Sequence, residues 1–254
     1  MRLHLFILAI SLLSSFSCLA GKKITIACGD ALAPWVMPEK NNGIIFSLIQ
    51  EALAPAGYEL EMLYYPYARR IKSYQFEDVD AVCDINEKTL AIEKLEGFLS
   101  DEAYAYENFA YALKKNHFQF SHLNDLVLHS VMSWQGAVEH LGGAYAEMAK
   151  KNPLYRENNS QELQVELLFL ERFEVIQIDQ HIFDYYRLKV ASESNIDTSK
   201  LVDKFPLFGK SPNGILFREE HIKDLFNKGL KALKQSGRYD KIFDLYSSNN
   251  FPDM

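Results

Sequence analysis

Polar and aromatic residues follow four short apolar runs that are typical of buried strands. The runs lie at residues 24–28, 79–83, 130–133 and 175–178. The residues that follow these runs, and that we predict to bind a ligand, are Asp30, Asp84, Trp134, Gln135, Gly136 and Asp179. Because ligands of open α/β sheets bind beyond the carboxyl ends of the strands, the pattern predicts one site that suits a small polar solute. The alternative is that these are the polar residues common in surface loops and that they bind no ligand.

Trp35 and Arg69 add two candidates from the first part of the chain. Trp35 follows Ala33 and Pro34 and offers an aromatic face that could stack on a planar ligand or cover a cationic group. Arg69 lies where the chain enters a predicted helix and could form a bidentate pair with a carboxylate, whereas we expect its neighbour Arg70 to face solvent. The backbone N–H groups of a helix that starts near Gly136 would also favour an anionic group such as a carboxylate.

Standard catalytic motifs are missing from the sequence. It has no glycine-rich phosphate loop, no His-Glu-x-x-His, no Gly-x-Ser-x-Gly and no Cys-x-x-Cys. None of the seven histidines pairs with a second ligand type at metal-ligand spacing, and Asp78, Asp80 and Asp84 straddle a predicted strand. We therefore expect no catalytic residues, no metal site and no cofactor.

The net charge and the first twenty residues indicate which partners and which cellular location to expect. With 27 Lys and Arg against 34 Asp and Glu, the formal net charge is -7, which argues against a nucleic-acid partner. Residues 5–16 are apolar but too few to span a membrane. Together with Arg2 and the small residues Cys18 and Ala20, they predict a cleavable signal peptide at residues 1–20 and an exported chain that starts at Gly21. A lipid-anchored Cys18 is the alternative, and it fits less well.

Hydrophobic periodicity predicts two α/β halves. Residues 24–83 alternate strand and helix in the order β-α-β-α-β, including a helix from Gly43 to Pro55, and the same alternation recurs between residues 130 and 179. A helix with an apolar stripe, a glycine at 237 and a short last helix close the chain. Such alternation implies parallel sheets with right-handed crossovers.

These residues, in this order, resemble the extracellular solute-binding proteins of family 3, the periplasmic components best known from polar amino-acid ABC transporters. The likeness covers most of residues 21–254. It rests on the strand at 24–28 with Ala33-Pro34-Trp35 and Gly43, on Tyr67-Ala68-Arg69, on Glu77-Asp78-Val79-Asp80-Ala81, and most specifically on residues 233–246, with Gly237-Arg238-Tyr239 and Ile242 to Tyr246.

The sequence also departs from that family. Residues 87–94, Glu-Lys-Thr-Leu-Ala-Ile-Glu-Lys, lack the arginine of the Thr-x-x-Arg motif that holds a ligand carboxylate, so Arg69 or Lys94 would have to take that role. Ser47 occupies the position at which the family has an acidic residue. Gly136-Ala137 occupies the position of a glycine-threonine pair in the second lobe of the family. Asp179 matches the aspartate that meets the amino group of the ligand, which keeps an amine or cationic ligand possible.

The resemblance implies a type II periplasmic-binding-protein fold, with a ligand cleft between two lobes that close by a hinge. Lobe 1 would comprise residues 21–112 and 215–254, and lobe 2 residues 113–214, with crossovers near 110–113 and 213–217. Cys28 and Cys83 would end neighbouring strands, where a disulfide or two buried thiols are possible; we expect reduced thiols.

The implied function is that of a monomeric, non-catalytic periplasmic protein that captures a small polar solute for an inner-membrane ABC permease or a sensor. One alternative is an enzyme on the same scaffold, resembling periplasmic cyclohexadienyl dehydratases, with Glu174 as the carboxylate to test as general acid. The other is an orphan domain that acts through protein contacts, for which its many tyrosines would be suited.

Overall fold

The computed structural model describes residues 21–30 and 32–247, so the predicted signal peptide and the alternative lipid anchor lie outside the described residues. The helices and strands, in chain order, are β1 (Lys22–Cys28), α1 (Ile44–Leu53), β2 (Tyr58–Tyr64), α2 (Tyr67–Gln75), β3 (Ala81–Ile85), α3 (Glu87–Glu93), β4 (Phe98–Leu99), β5 (Tyr104–Leu113), β6 (Val131–Trp134), α4 (Ala137–His140), α5 (Gly143–Lys151), β7 (Tyr155–Asn158), α6 (Gln161–Phe169), β8 (Val175–Asp179), α7 (Gln180–Glu193), β9 (Val202–Phe205), β10 (Lys210–Phe217), α8 (Glu220–Ser236) and α9 (Arg238–Leu245).

The strands form two parallel groups. In the first, β1 lies between β2 and β3 and is parallel to both; in the second, β6 lies between β7 and β8 and is parallel to both. Two strands, β10 and β5, lie between the groups, and they run antiparallel to each other, to β3 and to β8. The predicted α/β fold with two halves is confirmed, and the strands that join the halves make the sheet mixed.

The chain passes between the halves twice, along β5 and β10. These strands pair with each other through Tyr104–Glu107 and Lys210–Asn213, slightly N-terminal to the predicted crossovers. The rest of β5 pairs with β8 and β9 in the second half, and the rest of β10 pairs with β3 and β4 in the first. This pairing fits the two predicted lobes, whose exact boundaries stay a prediction.

Helices α1 and α8, which apolar periodicity predicted, pack against each other and against strands of the first half. The apolar face of α1 is buried, and so are Ile222, Phe226 and Leu230 on α8. The two helices touch where α8 carries Gly229, because a Cβ atom there would lie only 2.0 Å from the carbonyl oxygen of Ala52. Close packing of α8 on α1 therefore depends on a glycine.

One predicted helix is broken. The sequence predicts one helix that starts near Gly136, whereas the structure has two helices in this segment, α4 and α5, separated at Gly142, whose φ of +98° favours glycine. In the part of the chain that the structure describes, no helix is long and apolar enough to cross a membrane.

Cys28 and Cys83 form a disulfide, so the expectation of reduced thiols is wrong. Strands β1 and β3 are parallel and their register pairs Ile26 with Ala81 and Ala27 with Val82. The next pair in this register brings the two cysteines opposite each other, with their Cα atoms 5.0 Å apart, which is within the range of disulfides.

Candidate functional site

Asp179 is the best-defined feature of the site. It ends β8 and caps α7, where its Oδ1 accepts hydrogen bonds from the backbone N–H groups of His181 and Ile182, at 3.0 and 3.3 Å. The indole Nε1 of Trp35 donates to the same oxygen at 2.9 Å, and the N–H of Glu107 donates to Oδ2, also at 2.9 Å. Only 3% of Asp179 is exposed. The carboxylate is thus hidden from water and is held by neutral donors from three segments of the chain.

Asp179 is a buried carboxyl group whose hydrogen-bond donors are the neutral indole of Trp35 and backbone N–H groups. Burial raises the pKa of the Asp179 carboxyl above its usual value, while the Trp35 hydrogen bond, the nearby His181 and the backbone donors oppose that rise. Among the described residues, no lysine or arginine forms an ion pair with Asp179. A positively charged group that bound at Asp179 would therefore neutralise the charge of its carboxylate.

Trp35 joins the two halves of the molecule. Its side chain is fully buried, and its ring lies 4.8 Å from that of Tyr106, 5.2 Å from that of His181 and 5.8 Å from that of Phe243, measured between centroids. The start of α1 fixes the loop of Trp35, because the N–H of Ile45 donates to the carbonyl of Trp35 at 3.1 Å. The indole N–H is thus presented to Asp179 from the opposite half.

A second buried carboxylate, Asp84, lies at the end of β3. Its Oδ2 accepts from Nη1 of Arg70 at 2.6 Å, and its Oδ1 accepts from the hydroxyls of Tyr104 and Tyr106 at 2.7 and 2.6 Å. The side chains of Arg70 and Asp84 are only 6% and 12% exposed. Burial and the charge of Asp84 raise the pKa of both tyrosines well above 10, so they stay protonated and act as donors.

The expectation that Arg70 faces solvent is wrong, and Arg69 is the exposed member of the pair. Arg70 lies one turn before the buried Tyr74 on α2, so it points to the same side of the helix as the core. The guanidinium of Arg69 instead lies over the ring of Tyr65, 4.4 Å from its centroid.

Strand β5 contacts both Asp179 and Asp84, the first through the N–H of Glu107 and the second through two tyrosines. Tyr104 and Tyr106 are two residues apart on β5, so their side chains lie on the same face. Both rings contact Trp35, while both hydroxyls bind Asp84. The candidate site consists of Asp179, Trp35, Tyr104, Tyr106 and the pair of Asp84 with Arg70. Sequence analysis missed Arg70, Tyr104 and Tyr106, although the helical position of the first and the alternation of the other two were available signals.

The predicted anion site at Gly136 is filled by the protein itself. The N–H groups of Gly136 and Val138 donate to the carboxylate of Glu157, at 2.9 and 3.1 Å. The backbone N–H groups that the sequence predicted to favour an anionic group are thus bonded to a carboxylate of the protein. Register places this segment beside the end of β8, because Ser133 pairs with Gln177.

The other predicted site residues are not buried. Asp30, Gln135 and Lys94 are exposed, and Trp134 is half-buried at the end of β6. Within residues 21–30 and 32–247, no group of His, Cys, Asp and Glu side chains is arranged to hold a metal ion. The roles of Asp30, Trp134 and Gln135 as ligand-binding residues stay predictions.

The structure has two lobes, each built on a parallel α/β group, and a pair of strands joins them. Polar side chains lie between the lobes, and this arrangement is the two-lobed fold of binding proteins. No protein-family profile matches the sequence, and no curated protein matches it. Solved structures do match, and the fold that the sequence predicted is confirmed.

Three of these similar structures illustrate the match. The GluR0 ligand-binding core in complex with L-glutamate has a TM-score of 0.68 at 14% sequence identity, over 90% of this chain and 99% of that one. An amino acid ABC transporter substrate-binding protein from Streptococcus pneumoniae, bound to L-arginine, has a TM-score of 0.60 at 18% identity, over 88% and 94% of the two chains. An ancestral amino acid-binding protein, a precursor of cyclohexadienyl dehydratase, has a TM-score of 0.63 at 16% identity, over 89% and 95%.

Proposed function

We propose that this protein is a periplasmic solute-binding protein that captures a small polar solute between its lobes and delivers it to an ABC permease or a sensor. The observation that carries the proposal is the contact between Trp35 and Asp179, which brings a buried carboxylate of one half against a buried aromatic residue of the other. The proteins of similar fold bind amino acids, which supports a small polar ligand. We further propose that closing the lobes about β5 and β10 encloses the solute.

The proposed contacts of the solute follow from the geometry. Asp179 would take a positively charged or hydrogen-bond-donating group, because its oxygens are acceptors. Trp35, Tyr104 and Tyr106 would supply the aromatic walls, and Asp84 would hold the two tyrosines in place through their hydroxyls. We retain Arg69 as a proposed outer contact, because it lies at the start of α2, a helix that contacts β1 and β3.

A thermal-shift screen of residues 21–254 tests the proposal. The panel comprises amino acids, amines, small carboxylates, sugars and aromatic acids. A solute at a hundred times its dissociation constant stabilises the protein by about 2.7 kcal/mol, which raises Tm by about 5–11 °C for a chain of this size. The matched control is Asp179→Asn, which keeps the oxygen that caps α7 but removes the charge. A shift that survives unchanged in this variant would contradict the assignment of Asp179.

The second candidate is an enzyme on this scaffold. It is favoured by the similarity to a precursor of cyclohexadienyl dehydratase and by the raised pKa of Asp179, which is a property of general acids. Glu174 does not suit that role, because the pKa of its carboxyl is lowered below the usual value. Partial burial raises this pKa, but the backbone N–H of Ser130 and the side chain of His129 lower it by more. Recovery of the bound solute distinguishes the candidates, because a binding protein returns it unchanged.

A further inference from the structure

We propose that helix α9 is a latch that holds the two lobes together, through the contact of Phe243 on α9 with His181 at the start of α7. We call these two residues the latch pair. The inference rests on the lobe closing of the proposed function, and it adds an element that favours closing.

The first step is the attachment of α9 to the first half of the molecule. At the start of α9, the guanidinium of Arg238 donates to both carboxylate oxygens of Glu51 on α1, each at 2.7 Å. Just after α9, the hydroxyl of Tyr246 lies 3.2 Å from the hydroxyl of Ser47, also on α1. A bidentate pair of this kind fixes the relative orientation of the two groups. Helix α9, which carries Phe243, is therefore held to α1 at both ends.

The second step is the place of His181 in the second half. It is the second residue of α7, a helix that begins directly after β8 and packs against α6 and β8. The N–H of His181 donates to the side chain of Asp179 at 3.0 Å, and this cap orders the first turn of α7. His181 therefore belongs to the second half of the molecule, as Phe243 belongs to the first.

The third step is the contact between the latch pair. The ring centroids of Phe243 and His181 lie 5.4 Å apart. Trp35, also from the first half, lies edge-on to both rings, 5.2 Å from His181 and 5.8 Å from Phe243. Rings at such separations attract each other. One ring of the second half is thus seated against two rings of the first.

The last step is what opening of the lobes would break. Rotation about β5 and β10 would separate His181 from Phe243 and Trp35, and it would break the hydrogen bond from Trp35 to Asp179. It would also bring the fully buried indole of Trp35 into water, which is unfavourable. The latch pair therefore favours the closed arrangement through contacts of the chain itself. Because apparent affinity scales with the closed fraction of the molecules, the latch also tightens solute binding.

Hydrogen exchange of the Trp35 indole N–H tests this inference without any solute. The N–H must leave Asp179 before it exchanges, so its exchange rate, followed by NMR, reports the opening equilibrium. In the Trp134→Phe background it is the single indole signal. Phe243→Leu keeps much of the apolar volume but loses the ring, and it should speed exchange by about 2- to 12-fold. The matched control is Leu245→Ala, an exposed position on the same helix, which should exchange at nearly the wild-type rate.

A double variant shows whether the effect passes between the lobes. His181→Ala removes the other member of the latch pair and should speed exchange by a factor similar to that of Phe243→Leu. The two changes together should speed exchange no more than the faster of the single changes, because both remove the same contact. Effects that arise separately within each lobe would instead multiply.

The response to urea distinguishes opening from unfolding. Ile26 is fully buried on β1, between β2 and β3, so exchange of its backbone N–H reports unfolding of the first half. Low concentrations of urea should speed exchange of the Trp35 indole less than that of Ile26, because separating the lobes exposes less surface than unfolding.

The outcomes separate this inference from the proposed function. Exchange in Phe243→Leu that is no faster than in Leu245→Ala, or single effects that multiply in the double variant, overturns the latch and leaves lobe closing as proposed. Indole exchange with the same rate and the same urea dependence as that of Ile26 means that the lobes do not open short of unfolding. That result would overturn the latch and the proposed closing together.

Discussion

Replacing Arg70 should destabilise the protein far more than replacing Arg69, its neighbour in sequence. Arg70 donates to Asp84 at 2.6 Å, and the side chains are 6% and 12% exposed. Arg70→Met removes the cation but keeps much of the side-chain volume, so that Asp84 is left as a buried anion with two tyrosine hydroxyls. Breaking a buried ion pair in this way costs about 3–5 kcal/mol. We expect about 3 kcal/mol, because Tyr104 and Tyr106 still donate to Asp84.

The assay is urea unfolding at pH 7 for the wild type and the two single variants. Arg69→Met is the matched control, because it changes the same residue type on the same helix at an exposed position and should alter stability by no more than about 0.5 kcal/mol. A double variant sharpens the test. Arg70→Met with Asp84→Asn should be more stable than Arg70→Met alone, because the second change removes the unpaired charge.

Two results would refute this reasoning. One is an Arg70→Met variant that is no less stable than Arg69→Met, which would mean that the pair contributes nothing. The other is a double variant that is less stable than Arg70→Met alone, which would mean that Asp84 needs no counter-charge.

Three further predictions concern the disulfide, a glycine and pH. Thiol titration of the unfolded, unreduced chain from residue 21 should find no free thiols, and Cys28→Ala with Cys83→Ala should lose about 4 kcal/mol, since the bridge spans 55 residues. Gly43→Ala should lose more stability in urea than Gly57→Ala: both have positive φ, but only at 43 would a Cβ meet a carbonyl oxygen, at 2.5 Å, whereas nothing lies within 4 Å at 57. Because burial raises the pKa of Asp179 in the folded state, the wild type should gain stability relative to Asp179→Asn as pH falls from about 7 to 4; a constant difference in unfolding free energy would contradict this.

Several of the regular elements of the fold were predictable from local pattern. The 3.6-residue period of apolar residues located α1 and α8, and the short apolar runs located β1, β6 and β8. The roles of β5 and β10 were less visible in the sequence, because a strand that serves both halves changes its partners along its length. This change of partners is visible only in the pairing of the strands.

The candidate site was predictable in part. Asp84, Asp179 and Trp35 follow from their positions at or after strand ends, and the structure brings them together through Tyr104 and Tyr106. The choice between the two arginines failed because it weighed the start of the helix rather than its buried face. The partnership of Glu157 with Gly136 could not be read locally, since 21 residues separate them.

The position of α8 and α9 has a consequence for biosynthesis. Gly229 of α8 lies against Ala52 of α1, and the hydroxyl of Tyr246, just after α9, donates to Asn42. The first half of the molecule therefore includes residues that leave the ribosome after the whole of the second half. Residues between β5 and β10 form a continuous stretch that can fold as soon as it has emerged, whereas the half that begins first must wait for the C-terminal helices. A protein cut short before α8 would leave the apolar face of α1 uncovered, a target for quality-control proteases.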